Sequence, residues 1–385
     1  MIPKKKEGFQ NASVNFYEKK FIHTSCSSNI IIIIQSNNHQ QKTAIDSFIP
    51  SFKMSLPTIV LGTMTFSSQT SKPNASTMIE NFIQSPLSGN QPHLDSARMY
   101  GGGNTEILIG ELLAEAENDS LRQRCTIATK ANPFFEETLT PEGTTNQCEA
   151  SLAALQSPSV DLFYLHAPDS NVNIEDTLQT VQSLYEAGKF KRFGISNFTA
   201  WETVWIFNYM TTKGWIVPTV YQGMMNAITR KTNEEILPAL RRLGMSFYAY
   251  NPLAGGMLTG KHVRAGDTGS GRFNSETKWG KIYQSRFLQD EQFDAMDLVL
   301  KCCGDVKMSP AEAALRWMMH HSGLKGEYGD CIIIGASKLE YFESNMNALT
   351  LGPLPKEIVD AYDQGWELCR GIAPAFSRGV SGSAL

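Results

Sequence analysis

The chain has no C-x-x-C pair and no His/Cys cluster, although it holds seven cysteines. An odd, scattered set (Cys26, Cys125, Cys148, Cys302, Cys303, Cys331, Cys369) argues against a disulfide framework and against a structural zinc site, and points to a reducing compartment. There is no basic surplus: the formal net charge is -4, which speaks against nucleic acid as a partner. No apolar run approaches the roughly 20 residues of a membrane span. No apolar, strand-like run is followed by G-x-G-x-x-G, which disfavours a doubly wound dinucleotide-binding domain.

The first 53 residues lack arginine altogether. They hold seven lysines and three acids, so they carry a positive balance while the remainder is acidic. The run "SSNIIIIIQSNNHQQ" is low in complexity, and its five isoleucines are too few and too far from the start for a signal-peptide core. A mitochondrial presequence would be rich in arginine. Residues 1–53 therefore read as a disordered or spurious extension, such as upstream translation ahead of a start at Met54, with the folded domain spanning 54–385.

What is present begins at Thr58. The whole chain is 385 residues, 42% hydrophobic and 19% charged, which is ample for a large α/β core. Eight short, β-rich apolar runs follow one another: Thr58–Met64, His93–Ala97, Cys125–Lys130, Val160–His166, Phe190–Ser196, Thr219–Gly223, Met245–Asn251 and Cys331–Ser337. Helical patterns lie between them at Thr105–Glu117 (with Ile107, Leu108, Leu112 and Leu113 on one face), from Pro141 to about Leu155, and at Asp176–Ala187, Thr199–Lys213, Thr232–Leu243, Ser309–His321 and Lys338–Leu349. Eight such units predict an α/β fold of the (β/α)8 TIM-barrel type. An additional C-terminal helix, Lys356–Cys369, presents Ile358, Val359, Tyr362 and Trp366 to the barrel.

In such barrels the C-terminal strand ends build the active site. Polar residues recur there: Asp95, Lys130, His166, Ser196, Asn197, Gln222, Asn251 and Ser337. A lone strand-end histidine is more often a hydrogen-bonded structural residue. Asp and Tyr on unit two, Lys on unit three and His on unit four form a more specific set. A buried lysine needs an anionic partner, and Asp95 supplies one. An ammonium beside a phenol lowers the phenol's pKa. Tyr100 then reads as a general acid for a carbonyl oxygen, with His166 orienting that carbonyl. The three glycines after Tyr100 free the loop backbone, and Asn104 reads as the cap of the next helix. No nucleophile–base pair, no second strand-end carboxylate and no metal ligand triad accompany them, which counts against a barrel hydrolase.

The stretches "LDSARMYGGGNTE", "TIATKANP", "DLFYLHAPD", "GKFKRFGISNF", "YQGMMNAITR" and "YAYNPLAGGMLTGK" resemble the aldo-keto reductases over residues 56 to 378. The stretches "GRFNSETKWGKIYQSRF", "AALRWMMHHS" and "VDAYDQGWELC" are similar to the subgroup of aflatoxin-aldehyde reductases, which also reduce succinic semialdehyde. The resemblance implies a catalytic tetrad of Asp95, Tyr100, Lys130 and His166, and NADPH lying across the barrel mouth. It implies Ser196, Asn197 and Gln222 on the nicotinamide carboxamide, with Tyr250 a candidate to stack on the ring. Asn251, Pro252, Leu253 and Gly255 match the pyrophosphate loop, and Lys261 and Arg272 add charge for the phosphates. Gly335, Ser337, Lys338, Tyr341, Ser344 and Asn345 match the segment that reads the 2'-phosphate and adenine. The chain departs from the pattern in places: Tyr341 stands where the wider family often has arginine, Met225 where the subgroup often has tyrosine, and "APAFSR" replaces the subgroup's usual tail, with "GVSGSAL" after it.

The implied activity is NADPH-dependent reduction of aldehydes, dialdehydes or succinic semialdehyde among them, in the cytoplasm and as a homodimer. For a substrate carboxylate, Arg378 in "AFSR" and Arg230 after strand six are rival anchors. A second reading is a cofactor-binding regulatory barrel like the cytoplasmic partners of potassium channels; the subgroup-like tail favours the enzyme.

Overall fold

The computed structural model describes residues 55–115, 119–134, 136–262, 264 and 271–381. The expectation for residues 1–53 and the residue Cys26 lie outside them. The eight strands are β1 Thr58–Gly62, β2 His93–Asp95, β3 Thr126–Ala131, β4 Val160–Leu165, β5 Phe190–Ser196, β6 Pro218–Met224, β7 Ser246–Tyr250 and β8 Cys331–Ile334. All are parallel, and they close in sequence order into a barrel in which β1 pairs with β8. The expected (β/α)8 architecture is therefore the observed one.

Side-chain alternation sorts each strand into an inner and an outer set. Ile59, Leu61, Leu94, Ile127, Phe163, Leu165, Phe193, Ile195, Tyr221 and Phe247 join the main core beneath the helices. Val60, Ala128, Leu162, Tyr164, Val220, Tyr248 and Ile333 form a separate cluster that fills the barrel. A Cβ on Gly194 would sit 2.5 Å from the Tyr164 ring, so glycine there makes room for that buried phenol. The same alternation turns Asp95, Lys130, Ser196 and Gln222 inward at the C-terminal rim.

The helices are α1 Lys72–Gln84, α2 Asn104–Ala114, α3 Asp119–Arg124, α4 Pro141–Ala154, α5 Ile174–Glu186, α6 Ala200–Lys213, α7 Ile236–Leu243, α8 Lys278–Phe287, α9 Asp290–Asp305, α10 Pro310–His320, α11 Leu339–Thr350 and α12 Lys356–Cys369. Several begin where local chemistry dictates. Thr140 and Ser309 cap helices that open on proline, and Thr199 with Glu202 closes a capping box on α6.

Three expectations need correcting. Helices α1, α3, α8 and α9 were not anticipated, although the buried positions of α1 (Ala75, Met78, Ile79, Phe82, Ile83) have helical spacing. Helix α7 starts at Ile236 rather than Thr232, after a single 3-10 turn at Lys231–Asn233. Pro238 then falls in the first turn of α7, where a missing N–H costs nothing. On α2, Ile107 is 45% exposed, and the inward positions are Thr105, Glu106, Ile109, Leu112 and Leu113. The C-terminal helix α12 buries Ile358, Tyr362 and Trp366 as expected, with Val359 only half-buried. Its close neighbour is α9, where a Cβ on Gly365 would stand 3.0 Å from that of Ala295.

Candidate active site

At the centre of the rim Lys130 is fully buried, and its Nζ donates to Asp95 Oδ1 at 2.5 Å and to the Ser96 carbonyl at 2.6 Å. Gln222 Nε2 donates to the other Asp95 oxygen at 2.8 Å. Both carboxylate oxygens are thus engaged, as a buried charge requires. Burial pushes the Lys130 ammonium below its ordinary pKa of 10.5, while Asp95 pulls the other way.

Tyr100 opens a tight turn, Tyr100–Gly103, in which Gly101, Gly102 and Gly103 all have positive φ (58°, 64° and 93°). Only glycine takes three such angles in succession without strain. The expected cap is not formed by Asn104: its Nδ2 donates back to the Gly101 carbonyl at 3.0 Å, and Gly103 occupies the cap position. The half-buried Tyr100 ring lies edge-on to His166, 6.0 Å between centroids, and Lys130 Nζ is 5.3 Å from its centre. Phe134 also meets His166 edge-on, at 5.5 Å between centroids, and is followed by Trp279.

The electrostatics overturn one expectation. The Tyr100 phenol is pushed up from its ordinary pKa, first by burial and then by the Asp95 carboxylate. Arg272 pulls the other way, and the Lys130 ammonium, held by Asp95, does not reverse the rise. Tyr100 therefore keeps its proton across the physiological range. His166 is driven well below 6.5 by burial, Lys130 and Arg378, so its imidazole is neutral. Its Nδ1 is buried without a hydrogen-bond partner, while its carbonyl accepts from Asn197 Nδ2 at 2.8 Å.

The residues matched to the nicotinamide carboxamide are more committed to the protein than the sequence implies. Asn197, at φ 64°, also donates to Ser196 Oγ, and its Oδ1 accepts from Tyr250 Oη at 2.8 Å. The Gln222 amide nitrogen is the one on Asp95. Tyr250 is a link rather than a free ring, since its oxygen also accepts from Arg378 Nη2 at 3.0 Å. The loop after β7 turns back on itself: Asn251 Oδ1 accepts from the Gly255 N–H at 2.7 Å, with Pro252 buried and Leu253 half-buried between them.

Farther along the rim, Lys261 and Lys338 converge on one exposed ring. Their Nζ atoms lie 4.8 and 5.3 Å from the centre of Tyr341, which is 40% exposed. Ser344 is exposed one turn along α11, whereas Asn345 is buried. Gly335 lies close to β1, where a Cβ would meet the Gly62 carbonyl at 3.0 Å, and the Ser337 carbonyl accepts from Thr70 Oγ1. Two ammonium groups flanking an open aromatic face suit a phosphate beside a planar base. Arg272 lies 5.9 Å from the Tyr283 ring and is near enough to lower the Tyr100 pKa.

The two rival arginines separate. Arg230 is taken by the C-terminal helix: it pairs with Asp363 at 2.7 Å, donates to the Tyr362 carbonyl and stacks on Trp317. It is not a member of the rim cluster. Arg378 is, with its N–H on the Asn197 carbonyl at 2.8 Å and its guanidinium on Tyr250. The sequence reading missed Arg286, a half-buried guanidinium that burial, and then the Arg378 charge, push below its ordinary pKa. Nothing in the pattern of "YQSRF" signals this. Phe134, directly after β3, could have been found by its place in a rim loop.

A closed parallel barrel with a buried lysine–carboxylate pair, a phenol and an imidazole at its C-terminal rim has the groups that chemistry at a carbonyl needs. Comparison with known proteins agrees. The model of the aldo/keto reductase family matches residues 58–367. The chain is similar to human "Aflatoxin B1 aldehyde reductase member 2", at 42% identity over 83% of this chain and 89% of that protein. It is also similar to human "Aflatoxin B1 aldehyde reductase member 4", at 41% identity over 83% and 97% of the two chains. Human "Aldo-keto reductase family 7 member A3" is 40% identical over 84% and 97%. The chain belongs to the aldo/keto reductase family and is an oxidoreductase that acts on aldehydes with a nicotinamide cofactor. Among the described residues no group of His, Cys, Asp or Glu has the arrangement of a metal site, and no helix is long and apolar enough to cross a membrane.

Proposed function

We propose that this chain reduces aldehydes to primary alcohols with NADPH, with Tyr100 as the proton donor, and that it favours aldehydes bearing a second polar or anionic group. When bound, NADPH would supply a hydride to the carbonyl carbon. Tyr100 gives its phenolic proton to the carbonyl oxygen, and neutral His166 orients the same oxygen through a ring nitrogen. Lys130, held by Asp95, offers positive charge to the phenolate that forms. The observation that carries this reading is the meeting of Asp95, Lys130, Tyr100 and His166 at one end of the barrel.

The two lysines on Tyr341 support NADPH over NADH. Lys338→Ala is expected to weaken NADPH about tenfold and NADH hardly at all, because only NADPH carries the 2'-phosphate and this exposed contact belongs at the low end for a charge-assisted bond. Fluorescence titration with both cofactors is the check. An equal effect on the two would remove Lys338 from the phosphate site.

Substrate preference follows from Arg378, whose guanidinium donates to the Tyr250 hydroxyl at the rim. Its planar fork suits a carboxylate. Arg378→Ala is expected to lower kcat/KM for succinic semialdehyde by about 10- to 100-fold, mostly through KM, and to leave butyraldehyde nearly unchanged. Equal losses on both substrates would make Arg378 a purely structural part of the tail.

A further inference from the structure

The turn that carries Tyr100 is closed at its neck by an ion pair. Arg98 stands two residues before Tyr100 and Glu106 six after it, and Arg98 Nη1 donates to Glu106 Oε2 at 3.1 Å. Glu106 is fully buried on the first turn of α2, whereas the Arg98 side chain is 26% exposed. The guanidinium lies directly on the turn: a Cβ on Gly103 would come within 2.5 to 2.8 Å of three of its atoms. Glycine at 103 thus serves both the positive φ and this contact.

The pair is also tied to the strand that carries the lysine. The Arg98 N–H donates to the Lys130 carbonyl at 3.2 Å. The hydroxyl of Thr129, next to Lys130 and pointing out of the barrel, donates to Glu106 Oε1. One buried carboxylate therefore holds both ends of the Tyr100 turn and the outer face of β3. On the inner face of that strand Lys130 reaches Asp95 and the Tyr100 ring.

We propose that Arg98, Glu106 and Thr129 form a positioning brace that sets the Tyr100 hydroxyl relative to Lys130. None of the three touches the reacting atoms. Their effect is geometric: a misplacement of about 1 Å at a reacting group can cost on the order of 100-fold in rate. The brace rests on the reading of Tyr100 as the acid, and the experiment separates the two.

Four variants are compared: Arg98→Ala, Arg98→Lys, Thr129→Val and Tyr100→Phe. Active sites are counted by NADPH binding, and turnover is measured with NADPH and with NADPH deuterated at the transferred position. Arg98→Ala is expected to lower kcat per site by about 10- to 100-fold, with aldehyde KM and NADPH affinity little changed. Its deuterium effect on kcat should rise, because the chemical step becomes rate-limiting. Arg98→Lys should recover part of the loss, and Thr129→Val should show a smaller loss of the same kind. Should Arg98→Ala fail to fold, the other two variants carry the same readouts. A merely structural role would lower the melting temperature yet leave kcat per site and the deuterium effect unmoved, and that result overturns the brace. An active Tyr100→Phe overturns the acid assignment and the brace with it. An inactive Tyr100→Phe beside unimpaired Arg98 and Thr129 variants overturns the brace alone.

Discussion

Replacing Tyr100 by Phe is expected to lower kcat for aldehyde reduction by about 100- to 10,000-fold, the range that general acid catalysis supplies. Phenylalanine keeps the ring that packs against His166 at 6.0 Å and lies 5.3 Å from the Lys130 ammonium. The substitution therefore removes a proton donor and almost nothing else. NADPH binding should persist, because none of the side chains matched to the cofactor is altered. The neutral His166 cannot take over, since burial, Lys130 and Arg378 hold it without the extra proton. Steady-state turnover with cofactor affinity measured in parallel is sufficient. If the variant keeps more than about a tenth of wild-type turnover, Tyr100 is not the acid.

Asp95→Asn is expected to cost stability as well as activity. Breaking one partner of a buried ion pair typically destabilises by about 3–5 kcal/mol. Asparagine offers one acceptor where aspartate offers two, so either Lys130 or the Gln222 amide must face an NH2 group. A fall in melting temperature on the order of 10 °C follows for a domain of this size. The pH dependence has a definite sign. Lys130 has a folded-state pKa below its ordinary 10.5, so the folded protein sheds that proton before the unfolded chain does. The penalty is in full force below the folded-state pKa and fades as pH rises toward 10.5. Without Asp95 the folded-state pKa falls further, which makes the penalty larger at neutral pH and its relief on raising the pH more evident. Melting curves of variant and wild type from pH 7 upward provide the measurement. A deficit that widens with pH, or none at all, would show that Asp95 does not hold a charged lysine.

The strands were legible because each is a short β-rich run, and Asp95, Lys130 and His166 stand out as interruptions of apolar stretches near their C-terminal ends. Tyr100 was legible through the three glycines behind it. Other features depend on choices that periodicity does not encode. On α2 the pattern of Ile107, Leu108, Leu112 and Leu113 leaves the helix free to rotate by one position. The bonds of Glu106 to Arg98 and Thr129 fix that rotation and turn Ile107 to solvent. Arginine reach is equally invisible in one dimension. Arg230 follows a rim strand yet bends to Asp363, 133 residues on, while Arg378, far along the chain, donates to Tyr250 at the end of β7. The amides of Asn197 and Gln222 were assigned to a ligand by resemblance, but buried donors take the nearest acceptors, and here those are His166, Ser196 and Asp95.

The closure of the barrel has a consequence for biosynthesis. Strand β1 pairs along one edge with β2 and along the other with β8, and Thr58 meets Cys331 across 273 residues of sequence. At about 5–20 residues per second, a ribosome needs roughly 15 to 55 s to deliver the last strand after the first. During that interval the outer N–H and C=O groups of "TIVLG" have no native partner, and five residues so rich in β-branched side chains make a ready template for foreign strands. The nascent chain therefore carries a timed liability at its first strand, which is removed only when β8, within about the last seventh of the sequence, has been made.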